Sequence, residues 1–339
     1  MTEPTDSGQI YLQSYLAPFS AVLRRPDVTD VYVNRPGEIW IETVGGTIER
    51  TKVDTLSSSV LERLARQIAA HAHQGISREH PLLSASLPSG ERIQIILPPA
   101  TRGHLAMAIR KHVAVGLKLD DYASNGGFEG LGSRTAETTE LKNKLEVLLA
   151  SGDYVALLSS AVKGRMNILV SGGTSTGKTT FLDALIREID PSERLIVIED
   201  APELKLNHEN AVGLLSARSA LSETAVTTDD LLNAALRMRP DRIILGELRG
   251  AEAYAFLRAV NTGHPGSMTT VHANSPEHAI EQIALLVLQS GTALRREDIA
   301  HYIRSTVDVY VHLERTAKGR RITDVYLPDI GGTPRNRRT

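Results

Sequence analysis

The chain has no cysteine among its 339 residues. Disulfides, thiol nucleophiles and cysteine-held zinc or iron–sulfur centres are therefore excluded. Aromatic residues are scarce, at 4%, with one tryptophan, which argues against a channel that stacks single-stranded bases. Basic charge is not in excess: 38 Lys and Arg against 40 Asp and Glu leave a net charge of -2. Bulk charge thus gives no footprint of a nucleic-acid binder, and only a local patch stays open. No apolar run approaches the ~18 residues of a membrane helix. Met1 to Gly8 is polar, without the apolar core of a signal peptide. These absences imply a cytoplasmic protein whose membrane contact is at most peripheral.

What is present is an ordinary globular composition, 41% hydrophobic and 23% charged, on a chain long enough for two domains. In the first 110 residues, Leu12, Leu16, Phe19 and Leu23 have helical spacing, with Pro18 as a point where the helix breaks or restarts. Val31–Asn34, Glu38–Thr43 and a run from Thr47 alternate in period two around turns at Arg35-Pro36-Gly37 and Gly45-Gly46. A helical pattern follows over Ser57–Ala70, then strands over Arg92–Leu97 and Leu105–Arg110. This predicts an N-terminal α+β domain with an antiparallel sheet over 1–110. Residues 111–137 are rich in Gly, Ser, Asp and Thr, with a strong loop signal at Ser124-Asn125-Gly126-Gly127, and read as a long interdomain linker. From Thr138 to the end, helices alternate with apolar strands at Asn167–Ser171, Arg194–Glu199, Arg242–Gly246 and Ser267–Val271. That pattern predicts an α/β domain over 138–339 with a largely parallel sheet. A terminal hairpin turns at Lys318-Gly319. The basic tail with Arg335, Arg337 and Arg338 reads as disordered, with anionic lipid as a lesser alternative.

The strongest chemical signal is Gly172-Gly173-Thr174-Ser175-Thr176-Gly177-Lys178-Thr179, followed by Thr180. It is a complete phosphate-loop pattern between an apolar strand and a helix. The glycines turn backbone N–H groups towards phosphate oxygens, and the helix N-terminus adds partial positive charge. Lys178 is expected to reach the β- and γ-phosphates and Thr179 to ligate magnesium, which makes ATP and Mg²⁺ the expected cofactors. Glu247 ends the apolar strand Ile243–Gly246, where carboxylates face the ligand crevice of an α/β sheet. It is the second expected ligand of the magnesium or its waters. Glu199, before Asp200, ends another strand and is the favoured base for the attacking water. His272 ends the strand Ser267–Val271, where it either donates to the γ-phosphate or is merely solvated. His71, His73 and His80 match no zinc spacing and read as surface residues.

Taken in order, Gly172–Thr179, Val197–Glu203, Arg239–Gly250 and Thr262–Ser275 resemble the Walker A, aspartate-box, Walker B and histidine-box segments of secretion and pilus-motor ATPases. Asp27–Glu42 and Pro81–Pro99 look like the VirB-eleven branch, the traffic ATPases of type IV secretion and conjugation. The resemblance spans about Leu16 to Tyr326. It implies a RecA-like P-loop domain after the α+β domain, a homohexameric ring, and ATP hydrolysis coupled to substrate export and pilus assembly. It places the protein at the cytoplasmic face of the inner membrane beside other secretion-machine components. It also implies that N-terminal arginines reach the nucleotide, and Arg92 and Arg110 match those positions. A guanidinium there would stabilise transition-state charge. Domain swapping between subunits through the long linker, and direct nucleic-acid binding, are left open. So is the cargo, DNA or protein. Rival readings are a nucleic-acid translocase, an ATP-gated scaffold with little turnover, and a small-molecule kinase, for which no acceptor pocket is specified.

Overall fold

The computed structural model describes residues 7–112, 118–124, 126–130, 133–217 and 221–328. The basic tail, and 113–117, 125 and 131–132 of the expected linker, lie outside the described residues.

Helix α1 (Ser7–Leu23) runs unbroken through Pro18. A proline inside a helix costs about 3 kcal/mol. Leu12 and Phe19 on the same helix are 1% and 0% exposed, and burying two such side chains returns roughly 3–6 kcal/mol, so the apolar face wins. Strands β1 (Val28–Val33), β2 (Glu38–Thr43) and β3 (Ile48–Lys52) form the expected meander. Helix α2 (Ser58–His71) follows, its N-terminus capped by the Ser57 hydroxyl. Then come β4 (Leu82–Ser86), β5 (Arg92–Ile96) and β6 (Ala106–Arg110). The sheet is antiparallel, in the order β3-β2-β1-β6-β5-β4. Strand β4 escaped the sequence reading because Leu-Leu-Ser-Ala-Ser has no β-branched or aromatic residue.

Period two decides which face of this sheet is apolar. Val31, Val33, Ile39, Ile41, Ile95 and Ile109 share one core with Leu61, Leu64 and Ile68 of α2. The intervening residues Asp30, Tyr32, Glu42 and Gln94 are also buried, but polar.

Beyond this sheet the chain makes α3 (Leu119–Ser124), α4 (Ser133–Ser151), α5 (Tyr154–Lys163), β7 (Ile168–Gly172) and α6 (Lys178–Ile186). Next are β8 (Leu195–Glu199), β9 (Ala211–Leu215), α7 (Thr228–Ala235) and β10 (Arg242–Leu248). The chain ends in α8 (Glu252–Asn261), β11 (Met268–Val271), α9 (Pro276–Leu288), α10 (Arg296–Thr306), β12 (Val309–Thr316) and β13 (Gly319–Tyr326). The protein is α/β, with one antiparallel sheet of six strands and a largely parallel one of seven. Helix α4 starts five residues before the apolar pattern predicts, since its first turns are polar. No helix among the described residues is long and apolar enough to cross a membrane.

The described chain divides into two compact units: one from Met1–Val113 and Pro191–Gly246, the other from Ala114–Asp190 and Glu247–Thr339. In the first, β8 lies in parallel between β10 and β9. Its segment 191–246 meets the polar sheet face. The fully buried Arg194 stacks 4.0 Å from the Tyr32 ring, and donates to Asn34 Oδ1 at 2.8 Å and to the Met238 carbonyl at 2.9 Å. Burial pulls its pKa down to about 10. A buried guanidinium is tolerable only when stacked and hydrogen-bonded in this way. In the second unit the order is β13-β12-β7-β11, with β7 parallel to both neighbours.

Candidate functional site: a phosphate loop and its carboxylate

Strand β7 ends on Gly172 and α6 begins at Lys178, so the loop 173–177 is the turn between them. Two glycines are required by the backbone. Gly177 caps α6 at φ +97°, a left-handed conformation that a side chain disfavours. Gly172 lies so close to β12 that a Cβ there would stand 2.5 Å from the Leu313 carbonyl oxygen. The loop carries its own bracing: Thr176 Oγ1 donates to the Gly173 carbonyl at 2.9 Å. Thr174 and Ser175 are exposed, Thr179 is half-buried on the first turn of α6, and Thr180 is exposed.

Lys178 curls back over this loop. Its Nζ donates to the carbonyls of Gly172 at 3.0 Å and Gly173 at 3.1 Å. Burial pushes its pKa down, and Glu247 partly offsets that. Glu247, near the C-terminal end of β10, holds Oε1 3.7 Å from Lys178 Nζ and 2.9 Å from His272 Nε2. The His272 approach is off hydrogen-bond geometry, so Oε1 is a buried carboxylate oxygen that accepts no hydrogen bond. Oε2 accepts from Arg249 Nε at 2.6 Å. His272 follows β11 and is exposed, with Nδ1 3.4 Å from Lys178 Nζ. Thus Lys178, Glu247 and His272, three residues predicted from separate motifs, meet at one loop. Arg249 was not predicted. Its place two residues after the carboxylate, on the same side of an extended strand end, was the available signal.

The other predicted residues belong to the first unit. Glu199 ends β8, and its Oε1 accepts from the backbone N–H groups of Glu203 at 3.1 Å and Leu204 at 2.9 Å. Its Oε2 forms an ion pair with Arg102. Arg102 also donates through Nη1 to the Leu204 carbonyl at 2.7 Å, and its backbone N–H donates to the Gly213 carbonyl at 3.0 Å. A Cβ on Gly213 would meet Arg102 Cδ at 2.4 Å, so this glycine makes room for the arginine. Burial pushes the Arg102 pKa down. No sequence signal marked Arg102, which lies in the turn between β5 and β6.

Arg92 and Arg110 stand directly opposite each other on β5 and β6. Arg92 is exposed, while Arg110 Nε lies 3.1 Å from Asp30 Oδ1. Arg110 also lines an open cleft of about 480 Å³ with Lys111 and Arg239. His71, His73 and His80 join no metal-binding group, and among the described residues there is no cluster of three or more His, Asp or Glu able to hold a metal.

Residues 13–318 match the family of type II/IV secretion system proteins. The chain is 41% identical to the type IV secretion system protein VirB11 of Brucella suis biovar 1, over 92% of this chain and 89% of that one. It is 38% identical to VirB11 of Bartonella quintana, over 92% and 91%. With PtlH of Bordetella pertussis it shares 36% identity, over 97% and 98%. The crystal structure of the VirB11 ATPase from the Brucella suis type IV secretion system, in complex with sulphate, superimposes with a TM-score of 0.88. That likeness holds at 38% identity and covers 96% of this chain and 97% of the other.

Proposed function

The chain belongs to the VirB11 family of type IV secretion ATPases and is an ATP-hydrolysing enzyme, and we propose that it is a hexameric motor that powers export of DNA or protein and assembly of a pilus. In this reading it works at the cytoplasmic face of the inner membrane with other components of the secretion machine. Its organisation is an N-terminal domain over 1–110, a linker over 111–137 and a nucleotide domain over 138–339. The observation that carries the proposal is the meeting of Lys178, Glu247 and His272 at the phosphate loop.

The residues of that cluster fit magnesium. The ion takes oxygen ligands, keeps several waters, and needs only one or two protein oxygens beside the phosphates. The buried, unbonded Oε1 of Glu247 is such an oxygen, and the Thr179 hydroxyl on the first turn of α6 is the other. When bound, the ion supplies charge neutralisation at the β- and γ-phosphates. Lys178 leaves the carbonyls of Gly172 and Gly173 to meet the phosphates, which accept its hydrogen bonds in their place. The backbone N–H groups of Gly173 to Thr180 cradle the remaining oxygens. His272 is placed to donate to the γ-phosphate and so to register its loss. Arg92 and Arg110 close over the transferring group, adding positive charge where it develops. Glu199 orders the attacking water. Since Arg102 engages it, that service requires Arg102 to withdraw.

The test is steady-state ATP hydrolysis by the wild type and Glu247→Gln, each followed by light scattering with and without ATP and magnesium. A ring-sized particle whose turnover the variant loses is the expected result. A monomer under all conditions, or a variant with full activity, would remove the motor reading.

A further inference from the structure

The hairpin of β12 and β13 carries basic side chains that none of these roles uses. Arg315, Lys318, Arg320 and Arg321 are all exposed. Arg321 stands opposite Glu314 in the antiparallel register, so its charge is balanced across the strands. Arg315 instead stands opposite Arg320. Like charges directly opposed on a sheet are unfavourable, and among the described residues neither arginine has an ion pair or a side-chain hydrogen bond to relieve the repulsion. Such a pair is a place that an anion would stabilise.

The position of Arg320 says which anion. A methyl group on Gly177 would stand 3.2 Å from Arg320 Cδ, 3.8 Å from Nη1 and 3.9 Å from Nε. The guanidinium therefore lies against the residue that caps α6, where the first-turn N–H groups and the helix dipole already favour negative charge. The hairpin is anchored there by backbone. Strand β12 pairs in parallel with β7, setting Leu313 against Gly172, and Leu313 is so close that only glycine fits. Arg320 thus comes from an element whose base is fixed to the phosphate loop.

We propose that Arg320, with Arg315 beside it, is a further ligand of the nucleotide, binding the α- and β-phosphates from the hairpin side of the loop. This rests on reading Gly172–Thr180 as the ATP-phosphate site. It separates two jobs. Lys178 and the ion act where charge develops during hydrolysis. Arg320 binds phosphates that ATP and ADP share, so it stabilises ground state and transition state alike. Binding of that kind lowers KM and leaves kcat unchanged.

The experiment measures Kd for a fluorescent ADP, and KM and kcat for ATP, in the wild type, Arg320→Ala, Arg320→Lys and the Arg315→Ala/Arg320→Ala double variant. Arg320→Ala is expected to raise the ADP Kd and the ATP KM together, by about tenfold, as loss of a charge-assisted hydrogen bond does. Its kcat should stay within about twofold. Arg320→Lys should recover part of the affinity, and the double variant should lose more. Unchanged affinity in Arg320→Ala, with a wild type that binds and hydrolyses normally, overturns this proposal alone. A wild type that binds neither nucleotide overturns the phosphate-loop reading and takes this one with it. If Arg320→Ala keeps its nucleotide affinity but loses binding to phosphatidylglycerol vesicles, the hairpin serves a membrane and the proposal is also overturned.

Discussion

At the end of β8, Glu199 is enclosed: two backbone N–H groups donate to one of its oxygens and the half-buried Arg102 forms an ion pair with the other. Near the end of β10, Glu247 faces Lys178, His272 and Arg249. Every one of those partners is a side chain able to turn towards a ligand. The first carboxylate is fixed by backbone and by a guanidinium that Gly213 makes room for. The second is held by groups whose hydrogen bonds can be exchanged for phosphate oxygens. Strand-end position is thus shared by a carboxylate whose oxygens are engaged within its own turn and one that, in the proposed reading, takes a metal, and the neighbours distinguish them.

The comparison breaks most visibly at Arg102. Removing one partner of a buried ion pair leaves an uncompensated charge, a loss of about 3–5 kcal/mol. Arg102→Ala is expected to lose that much stability in urea unfolding, and Arg102→Met with Glu199→Gln to recover most of it. If Arg102→Ala were instead fully stable and faster in hydrolysis, Arg102 would be only a latch on Glu199 and not a support of the fold.

Next in size is the Glu247 side. Lys178→Ala and Glu247→Gln should each lower kcat by about 10²–10³-fold, the scale for removing one preorganised electrostatic group. Neither should lose much stability, because Glu247 offsets the burial of Lys178 only in part. A variant that unfolds, rather than one that folds and fails, would mean that Glu247 supports the fold and not the chemistry. His272→Ala should cost less, about tenfold in kcat, or ~1.4 kcal/mol, since the ring is exposed. An unaltered kcat would return His272 to a solvated strand end.

How much of this is legible in the sequence follows the same division. The strand–turn–helix at Gly172–Thr179 could be read because backbone geometry demands its glycines at Gly172 and Gly177. Glu247 and His272 were legible because a strand's C-terminal end points to one place, and all three residues do meet. Glu199 was legible as a strand end, but its partner was not: Arg102 reaches it from a turn distant in sequence, and no local pattern encodes that pairing. Helix α10 was missed although Ile299, Ala300 and Ile303 are buried with helical spacing, because the charged residues around them hide a short stripe. The start of α4 was missed because Ser133 to Glu140 offers no apolar period to read. Pro18 misled in the opposite sense, since local propensity yields to tertiary burial.

The smallest expected effect concerns the ground beneath the loop. Ser171, the residue before Gly172, has its hydroxyl 2.9 Å from Nδ1 of the buried His312 on β12. Burial pulls the His312 pKa below the ordinary imidazole value, and Glu314, Asp324 and Glu277 offset this only in part. A histidine whose folded pKa is depressed is more readily protonated when unfolded. The unfolded state then binds more protons as pH falls through the ordinary value near 6.5, and stability declines. The neutral ring's contribution is complete above about pH 6.5 and is lost below it. Urea midpoints should therefore be flat from about pH 8 to 7 and fall towards about pH 5.5, and His312→Asn, which keeps a polar partner for Ser171, should flatten the acid limb. The same decline in His312→Asn would place the acid sensitivity elsewhere. A flattened limb would mean that the loop receiving mobile partners at Glu247 stands on a strand pair held by a neutral histidine, as rigid in its way as the turn that holds Glu199.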